Sequence, residues 1–393
     1  MISGKTFLVF GDDFGIHPTS TEHVLRHLMR ENQFIWVHLM GSRAPQLHLH
    51  DLRRASQKLR QWIGATPRPF SAPSVTFYSP MVIPLNVSHV VRALNRRIVI
   101  RGVRRLLSDL GVQRPILVAS VPPAAEVIGE FGEDLVAYIC EDEYSELPGV
   151  FRDYVAAMDA IMLDHADVTF VTSEPLRVKK SRPGKPTHLL LQGVDFDHFS
   201  QAWHTPTPLP SELARLPRPI IGLIGTLDKR LDVELVRAAA RAFPTASVVL
   251  IGTIRIDLTD SHIEPNIFIL GPRRYADLPR YLAAFSVGLI PYRARALTEY
   301  VNPLKLLEYF AAGLPVVTAG LCHLPDYGGL VYHASTTQQF ISFVGSALTE
   351  HDGDYWMRRV ALAQQNTWAD RAALFSEQLL AALSSSRPQP LTR

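Results

Sequence analysis

Cysteine is nearly absent from this sequence: 393 residues contain two, Cys140 and Cys322. They stand far apart, which excludes a disulfide framework and gives no metal-ligand spacing, a pattern that suits a reducing compartment. No apolar run approaches the ~18 residues of a membrane-spanning helix. At the N-terminus one lysine, Lys5, and the short run Phe7-Leu8-Val9-Phe10 precede two aspartates, too little for a secretory signal. These absences predict a cytoplasmic protein. No repeat period is visible, and the only biased tract is a Ser/Pro-rich tail at 384–390, so solenoid and disordered classes are excluded.

What is present is a globular composition, 47% hydrophobic and 20% charged, in a chain long enough for two cores of roughly 150–200 residues each. The net charge of +3 hides an asymmetry. Between Arg43 and Arg114 there are 13 basic residues against 2 acidic ones, Asp51 and Asp109, a local balance of +11. A segment this basic predicts an anionic partner.

Short buried runs alternate with helical stretches. Lys5–Phe10, Phe34–Met40, Pro115–Ser120, Asp134–Cys140 and Asp167–Thr172 read as strands, with helices through His23–Met29 (capped by Thr19, Ser20 or Thr21) and 151–165. This alternation predicts a parallel sheet with crossovers. Prolines 206, 208, 210, 217 and 219 crowd the stretch Ser200–Pro219, which marks a domain boundary. The pattern then restarts. Strands are expected at Pro219–Ile224, Ser247–Ile251, Asn266–Leu270, Val287–Pro291 and Pro315–Thr318, and helices at Asp232–Phe243, Leu278–Phe285 and about 303–312. A last helix, about 367–383, has no strand left to cross to. The expected division is 1–203, 204–366, and a helix with its tail over 367–393.

The segment Asn302-Pro303-Leu304-Lys305-Leu306-Leu307-Glu308, ending at Gly313-Leu314-Pro315-Val316-Val317, is the most informative. Asn302 is a good N-cap, Pro303 a good first helical residue, and Gly313 sits where a C-cap glycine belongs. The N–H groups and positive dipole end of such a helix form an anion site, to which Lys305 adds a full charge. Glu308 follows Lys305 at i+3, on the same face. A diphosphate at the helix start would leave Glu308 within reach of ribose hydroxyls. On spacing alone, a capped core helix with a solvated Lys–Glu pair accounts for the same residues.

This segment resembles the donor-binding helix of glycosyltransferases with the GT-B fold, whose pattern runs Glu, seven residues, Glu, then Ala-x-Gly-x-Pro-Val-Val. Glu308 matches the second Glu, which in that family holds the nucleotide ribose. The first falls at Tyr300, with Glu299 one position off, so the donor-sugar contact and the stereochemistry are not given by the pattern. Lys305 is similar to the lysine that meets the pyrophosphate in the xanthan-pathway glucuronosyltransferase and the teichuronic-acid transferases. Ile221–Asp228 resembles the first strand and Gly loop of a GT-B donor domain, with Gly225 and Thr226 in the loop. Lys229 and Arg230 follow it, either as a solvated pair or as diphosphate contacts. Asn266–Pro291 resembles the stretch where the family's base stacks, with Arg273 and Arg274 in its loop. Gln192-Gly193-Val194-Asp195 with Phe199 resembles the end of the family's acceptor domain, and the final helix the one that crosses back to the first domain.

The resemblance implies an α/β protein of two Rossmann-like domains with parallel sheets facing a cleft. Residues 1–203 would bind the acceptor, and 204–366 a nucleotide sugar, UDP-linked by resemblance. The helix in 367–393 would pack back on the first domain. It implies a hexosyl- or glucuronosyl-transferase of exopolysaccharide synthesis, acting on a saccharide or a lipid-diphosphate-linked acceptor. No metal and no cofactor are expected, because helix dipole and basic residues neutralise the leaving diphosphate. The donor residues would be Gly225, Thr226, Lys229, Arg230, Arg273, Asn302, Leu304, Lys305 and Glu308.

In the acceptor half, Glu141-Asp142-Glu143 follows the run Asp134–Cys140 and aligns with the acidic site that supplies the base in the xanthan-pathway enzyme. Asp142 is the expected catalytic base and Glu141 an acceptor-side candidate; a solvated acidic loop is the other reading. Gly11-Asp12-Asp13-Phe14-Gly15-Ile16-His17 reads as the loop after the first strand, with Asp13 and His17 as acceptor-side candidates. The same block resembles metal-dependent carbohydrate deacetylases, in which Asp and His hold a divalent ion. That alternative needs further ligands at useful spacing.

Arg92, Arg96, Arg97, Arg101, Arg104 and Arg105 interleave with Val91, Leu94, Ile98, Val99, Val103 and Leu106 as a basic amphipathic helix. It is either a solvated face or a dock for an anionic membrane, on the inner face of the plasma membrane. Aromatic residues are missing from the run, which argues against nucleic acid.

Overall fold

The structure is a computed structural model that describes residues 1–15, 18–38, 75–83, 88–205, 208–256 and 264–385. It divides into two compact units: Met1–Leu191 with the chain from Arg371 onward, and Gln192–Asp370.

Among the described residues, the first unit carries a seven-stranded parallel sheet. Its strands are β1 (Thr6–Gly11), β2 (Gln33–His38), β3 (Val75–Tyr78), β4 (Ile116–Ala119), β5 (Leu135–Cys140), β6 (Val168–Val171) and β7 (Thr187–Leu189), in the order β3-β2-β1-β4-β5-β6-β7. The central strands are apolar on both faces, as a sheet covered by helices on either side requires. Thr19 caps the helix Ser20–Leu28, its hydroxyl accepting from Glu22 N–H at 3.3 Å. Strands β3 and β7 were not expected from sequence. They lie at the two edges and are short segments that include polar residues, so they lack the apolar run that marks β1 or β4.

The second unit holds β8 (Ile220–Ile224), β9 (Ser247–Ile251), β10 (Ile267–Gly271), β11 (Val287–Pro291), β12 (Val316–Ala319) and β13 (Val331–Ala334), all parallel, in the order β10-β9-β8-β11-β12-β13. Two cores flank this sheet. Ile221, Leu223 and Leu250 pack on one face with Leu235, Val236 and Ala239 of the helix Val233–Ala242. Ile220, Ile224 and Ile251 pack on the other with Leu306, Leu307 and Phe310 of the helix Leu304–Ala311. The alternation follows from the two-residue period of a strand.

The units part after Leu191 and after Asp370, where the sequence places the joins at 203/204 and 366/367. The reason lies in packing. Val194 and Phe199 belong to the core of the second unit, and Trp203 Nε1 donates to Ala311 O at 3.0 Å, so the stretch before the proline cluster is already committed to that unit. The two crossing segments lie side by side, Val194 N–H donating to Asn366 O (3.0 Å) and Trp368 N–H to Val194 O (3.3 Å). The last helix, Trp368–Ser385, then joins the first unit: the Phe375 ring packs tilted against Phe170 at 4.7 Å, and Ser376 Oγ accepts from Ile2 N–H at 2.5 Å.

The basic helix spans His89–Asp109. Carboxylates come to it, most of them from beyond the helix. Arg96 and Arg104 both pair with Glu130, Arg92 lies 3.8 Å from Glu126, and Arg105 lies 3.8 Å from Asp109. Its apolar stripe is also largely core, with Val99, Val103 and Leu107 buried. Arg97 and Arg101 remain exposed and make no ion pair among the described residues. Val90 and Leu94 are the exposed apolar residues of this helix, at 79% and 47%.

Candidate functional site

Open parallel sheets bind ligands beyond the carboxyl ends of the strands, where the strand order reverses. In the second unit that point lies between β8 and β11. The loops leaving these strands carry Gly225–Arg230 and Arg293–Pro303. They are stitched together, Arg293 N–H donating to Arg230 O and Asp232 N–H to Pro291 O, each at 2.8 Å. A Cβ on Gly252, at the end of β9, would overlap the Gly225 carbonyl oxygen, so only glycine allows this approach.

The helix Leu304–Ala311 starts beside that loop. A Cβ on Gly225 would meet Lys305 Cε at 3.9 Å, an ordinary contact. Tyr309, fully buried, fixes the helix to the end of β8 by accepting from Ile224 N–H at 2.8 Å. At the far end Gly313 takes a φ of +75° as the expected C-cap glycine. The near end differs from expectation. Pro303 is the cap residue, with extended backbone and no side-chain cap bond of its own; Asn302 lies one position further out and is buried. The Pro303 φ of −76° would suit a helix, but its ψ of 112° is extended, so Leu304 is the first helical residue. Lys305 Nζ donates to Glu308 Oε2 at 2.8 Å, and Glu308 is almost fully buried.

The structure thus brings Gly225, Leu304, Lys305 and Glu308 together, with the exposed Thr226 and Lys229 on the same loop. Arg230 is paired with Asp228 at 2.8 Å. Arg273 follows the edge strand β10 and is held there, donating to Leu270 O (2.6 Å), Tyr281 OH (2.7 Å) and Glu212 (3.2 Å). Sequence reasoning passed over Arg293 and Arg295, which with Lys229 line a cavity beside the β8 loop. Their signal was their place, just past the end of a strand in the loop that leads to Asn302.

In the first unit the order reverses between β1 and β4. Asp12 and Asp13 follow β1, Ser120 follows β4, and Glu141-Asp142-Glu143 follow β5. Glu141 is tethered three ways: its Oε1 accepts from Thr21 N–H (2.6 Å) at the start of the helix Ser20–Leu28, its carbonyl from Thr172 Oγ1 (2.6 Å), and its N–H donates to Tyr144 OH (3.2 Å). Loss of hydration pushes its carboxyl up to about 7, and the charges of Asp142 and Asp12 add to that. Glu143 is the opposite case. Burial works against its charge, but Lys180, Ser145 and Lys179 hold it down to about 2. Lys180 Nζ bridges Glu143 Oε2 (2.8 Å) and Asp159 Oδ2 (2.6 Å), and Tyr138 OH donates to Asp159 Oδ1 (2.6 Å), all buried. Asp142 sits between the two, partly buried, its carbonyl accepting from Cys140 Sγ at 3.3 Å. Asp13 is partly buried, and the Asp12 carbonyl accepts from Trp36 Nε1 at 3.0 Å. His17 lies outside the described residues. Among the described residues, no three His, Cys, Asp or Glu side chains are grouped to hold a metal ion.

Residues 218–350 match the family described as glycosyl transferases group 1. The matched residues lie within the second unit. A protein of Bacillus subtilis (strain 168), ascribed to teichuronic acid biosynthesis as the glycosyltransferase TuaH, is 28% identical over 207 residues, 48% of this chain and 51% of the relative. The chain thus spans about half the length of that curated relative. Among solved structures, the UDP-forming α,α-trehalose-phosphate synthase of Burkholderia vietnamiensis has a TM-score of 0.67 at 12% identity, covering 99% of each chain. Anabaena HepE, solved with UDP and glucose, has a TM-score of 0.65 at 13% identity, covering 96% of this chain and 100% of that one. The fold is GT-B, as the donor-helix motif implied.

Proposed function

We propose that the chain is a glycosyltransferase that moves a sugar from a nucleotide sugar to a saccharide acceptor. The observation that carries this reading is the start of the helix Leu304–Ala311, with the Lys305–Glu308 pair, set against Gly225 at the strand-order reversal of the unit that carries the group 1 match. The positive end of the helix dipole and a lysine suit the leaving diphosphate, whose negative charge grows as the sugar departs. The carboxylate of Glu308 suits ribose hydroxyls, which donate to it. No bound metal is needed for either task.

UDP is the nucleotide this reading favours, since HepE was solved with UDP and the trehalose-phosphate synthase is UDP-forming. In the first unit, Asp142 or its neighbour Glu141 takes the proton from the attacking acceptor hydroxyl, with Asp13 and His17 beside the acceptor. The acceptor is a lipid-linked precursor of a surface polysaccharide, by analogy with the teichuronic-acid relative. The face of the helix His89–Asp109 that bears Arg97, Arg101, Val90 and Leu94 would meet an anionic membrane surface peripherally; no helix among the described residues is long and apolar enough to cross one. The deacetylase reading of the Asp12-Asp13 loop has no support from the relatives named above or from any metal-ligand cluster among the described residues.

A metal-free thermal-shift panel of UDP-, GDP- and dTDP-sugars tests the donor reading. A ligand at ~100 times its Kd adds about 2.7 kcal/mol to stability, so the right nucleotide raises Tm by several degrees. If none of the three raises it, the reading fails.

A further inference from the structure

Arg293, Arg295 and Lys229 have no part in the reading above beyond the place of Lys229 on the donor loop. Together with Leu231, Val233 and Ile256 they line a cavity of about 390 Å³, within the roughly 300–1,000 Å³ typical of small-molecule sites.

The cavity is built rather than incidental. Leu231 bridges to Tyr292, and Arg293 N–H donates to Arg230 O at 2.8 Å, which joins its two walls. The buried Thr298 hydroxyl donates to Arg293 O (2.8 Å) and accepts from Arg295 N–H (2.9 Å), folding the loop so that both arginines serve one pocket. The pocket opens by Val233, the first residue of the helix Val233–Ala242, which covers the opposite sheet face from the helix Leu304–Ala311. It is therefore distinct from the helix start that suits a diphosphate.

Its charge is unbalanced. Asp232 lies 3.9 Å from Arg293 Nε, but its Oδ1 already caps the helix Val233–Ala242 by accepting from Glu234 N–H at 3.1 Å. Lys229 and Arg295 have no ion pair among the described residues. Three cations facing one committed carboxylate leave an excess of positive charge over an aliphatic floor, which an oxyanion would relieve.

We infer that this cavity binds a second oxyanion, a carboxylate or phosphate carried by the transferred sugar or by the acceptor, in addition to the donor diphosphate. The inference rests on the donor reading only for the identity of the ligand that carries the anion. Charge-assisted bonds from arginine favour the anionic ligand over its neutral analogue by about tenfold.

Calorimetry on the full chain tests it, with UDP, UDP-glucose, UDP-glucuronate, glucose 6-phosphate added to the UDP-bound protein, and inorganic phosphate alone. The double variant Arg293→Gln, Arg295→Gln keeps both side chains long and polar, and circular dichroism verifies its fold. If the anion rides on the donor, UDP-glucuronate binds the wild type about tenfold tighter than UDP-glucose, and the double variant erases that difference without changing UDP affinity. If it rides on the acceptor, the two donors bind alike, and glucose 6-phosphate binding is what the variant loses. Equal weakening of UDP and both sugar nucleotides would assign the cavity to the diphosphate and overturn the inference, as would no change in any arm. Should UDP fail to bind the wild type, the donor reading falls. Phosphate binding then judges the cavity alone: its loss in the variant upholds the site, and its absence from the wild type rejects it.

Discussion

Lys305 and Glu308 neutralise each other across one turn of the helix Leu304–Ala311, Nζ to Oε2 at 2.8 Å. Each thereby holds the other in place. On the proposed reading, binding a diphosphate and a ribose would exchange that contact for two others.

Removing either partner should separate these roles. Lys305→Ala should weaken UDP by about 1.5–3 kcal/mol, the range for hydrogen bonds to charged groups, and leave uridine unaffected. Glu308→Ala should weaken both uridine and UDP. Calorimetric titration of the two ligands into each variant measures the split. Unchanged UDP affinity in both variants would remove the helix start from the donor site.

The proton acceptor can be told from pH profiles. Asp142→Asn should preserve donor binding and cut turnover by ~10²–10⁴-fold if Asp142 is the base. If Glu141 is the base, Glu141→Gln shows that loss instead, and the wild-type rate rises with an inflection near the value of about 7 to which its carboxyl is pushed.

Glu141 also makes a stability prediction. Its folded-state value, about 7, lies above its ordinary 4.5, so folding favours the protonated form. The stabilisation is complete below pH 4.5 and is lost as pH rises through 7, by about 3 kcal/mol. Glu141→Gln, which stays neutral, should be the more stable protein at pH 8 and match the wild type near pH 4.5. Urea melts at a series of pH values measure the gap; parallel curves would argue against a strained carboxyl.

Lys180→Met should leave Glu143 and Asp159 as buried charges without their shared cation. Breaking such a group by removing one member costs about 3–5 kcal/mol, more than any exposed ion pair here should. Denaturant unfolding of the variant gives the number, and a loss under 1 kcal/mol would mean that water reaches the cluster.

Arg97→Glu with Arg101→Glu should abolish sedimentation with vesicles containing anionic lipid while donor binding stays intact. Arg104 is left alone because its guanidinium lies 2.7 Å from Glu130 within the fold. Wild-type binding should fall with salt, as exposed charges are screened beyond about 10 Å at 0.1 M. Equal sedimentation with neutral and anionic vesicles would reduce these arginines to a solvated face.

The central strands were legible because β1, β4, β8 and β11 are buried on both faces and therefore read as unbroken apolar runs. The edge strands β3, β7 and β13 were not, since Val75–Tyr78, Thr187–Leu189 and Val331–Ala334 are short and interrupted by polar residues, whereas the equally half-buried edge strand β10 carries the continuous run Ile267–Leu270. In the site, the helix with Lys305 and Glu308 was readable because its determinants are local. The surroundings of Glu141 were hidden for the converse reason: its closest tether, Thr21, is 120 positions away, and only the fold brings them together. The same holds for Glu130, which pairs with Arg96 and Arg104 from beyond their helix.

The return of the last helix to the first unit has a consequence for synthesis. Phe375 and Ser376 supply part of that unit's core, yet they are made after every strand of the second unit. On the ribosome, the half of the protein that is translated first is therefore the half that finishes last. Until residues beyond Asp370 emerge, the part of its sheet that Phe375 covers at Phe170 lacks that cover. A chain stopped at Asp370 would hold a complete second unit and an unfinished first one.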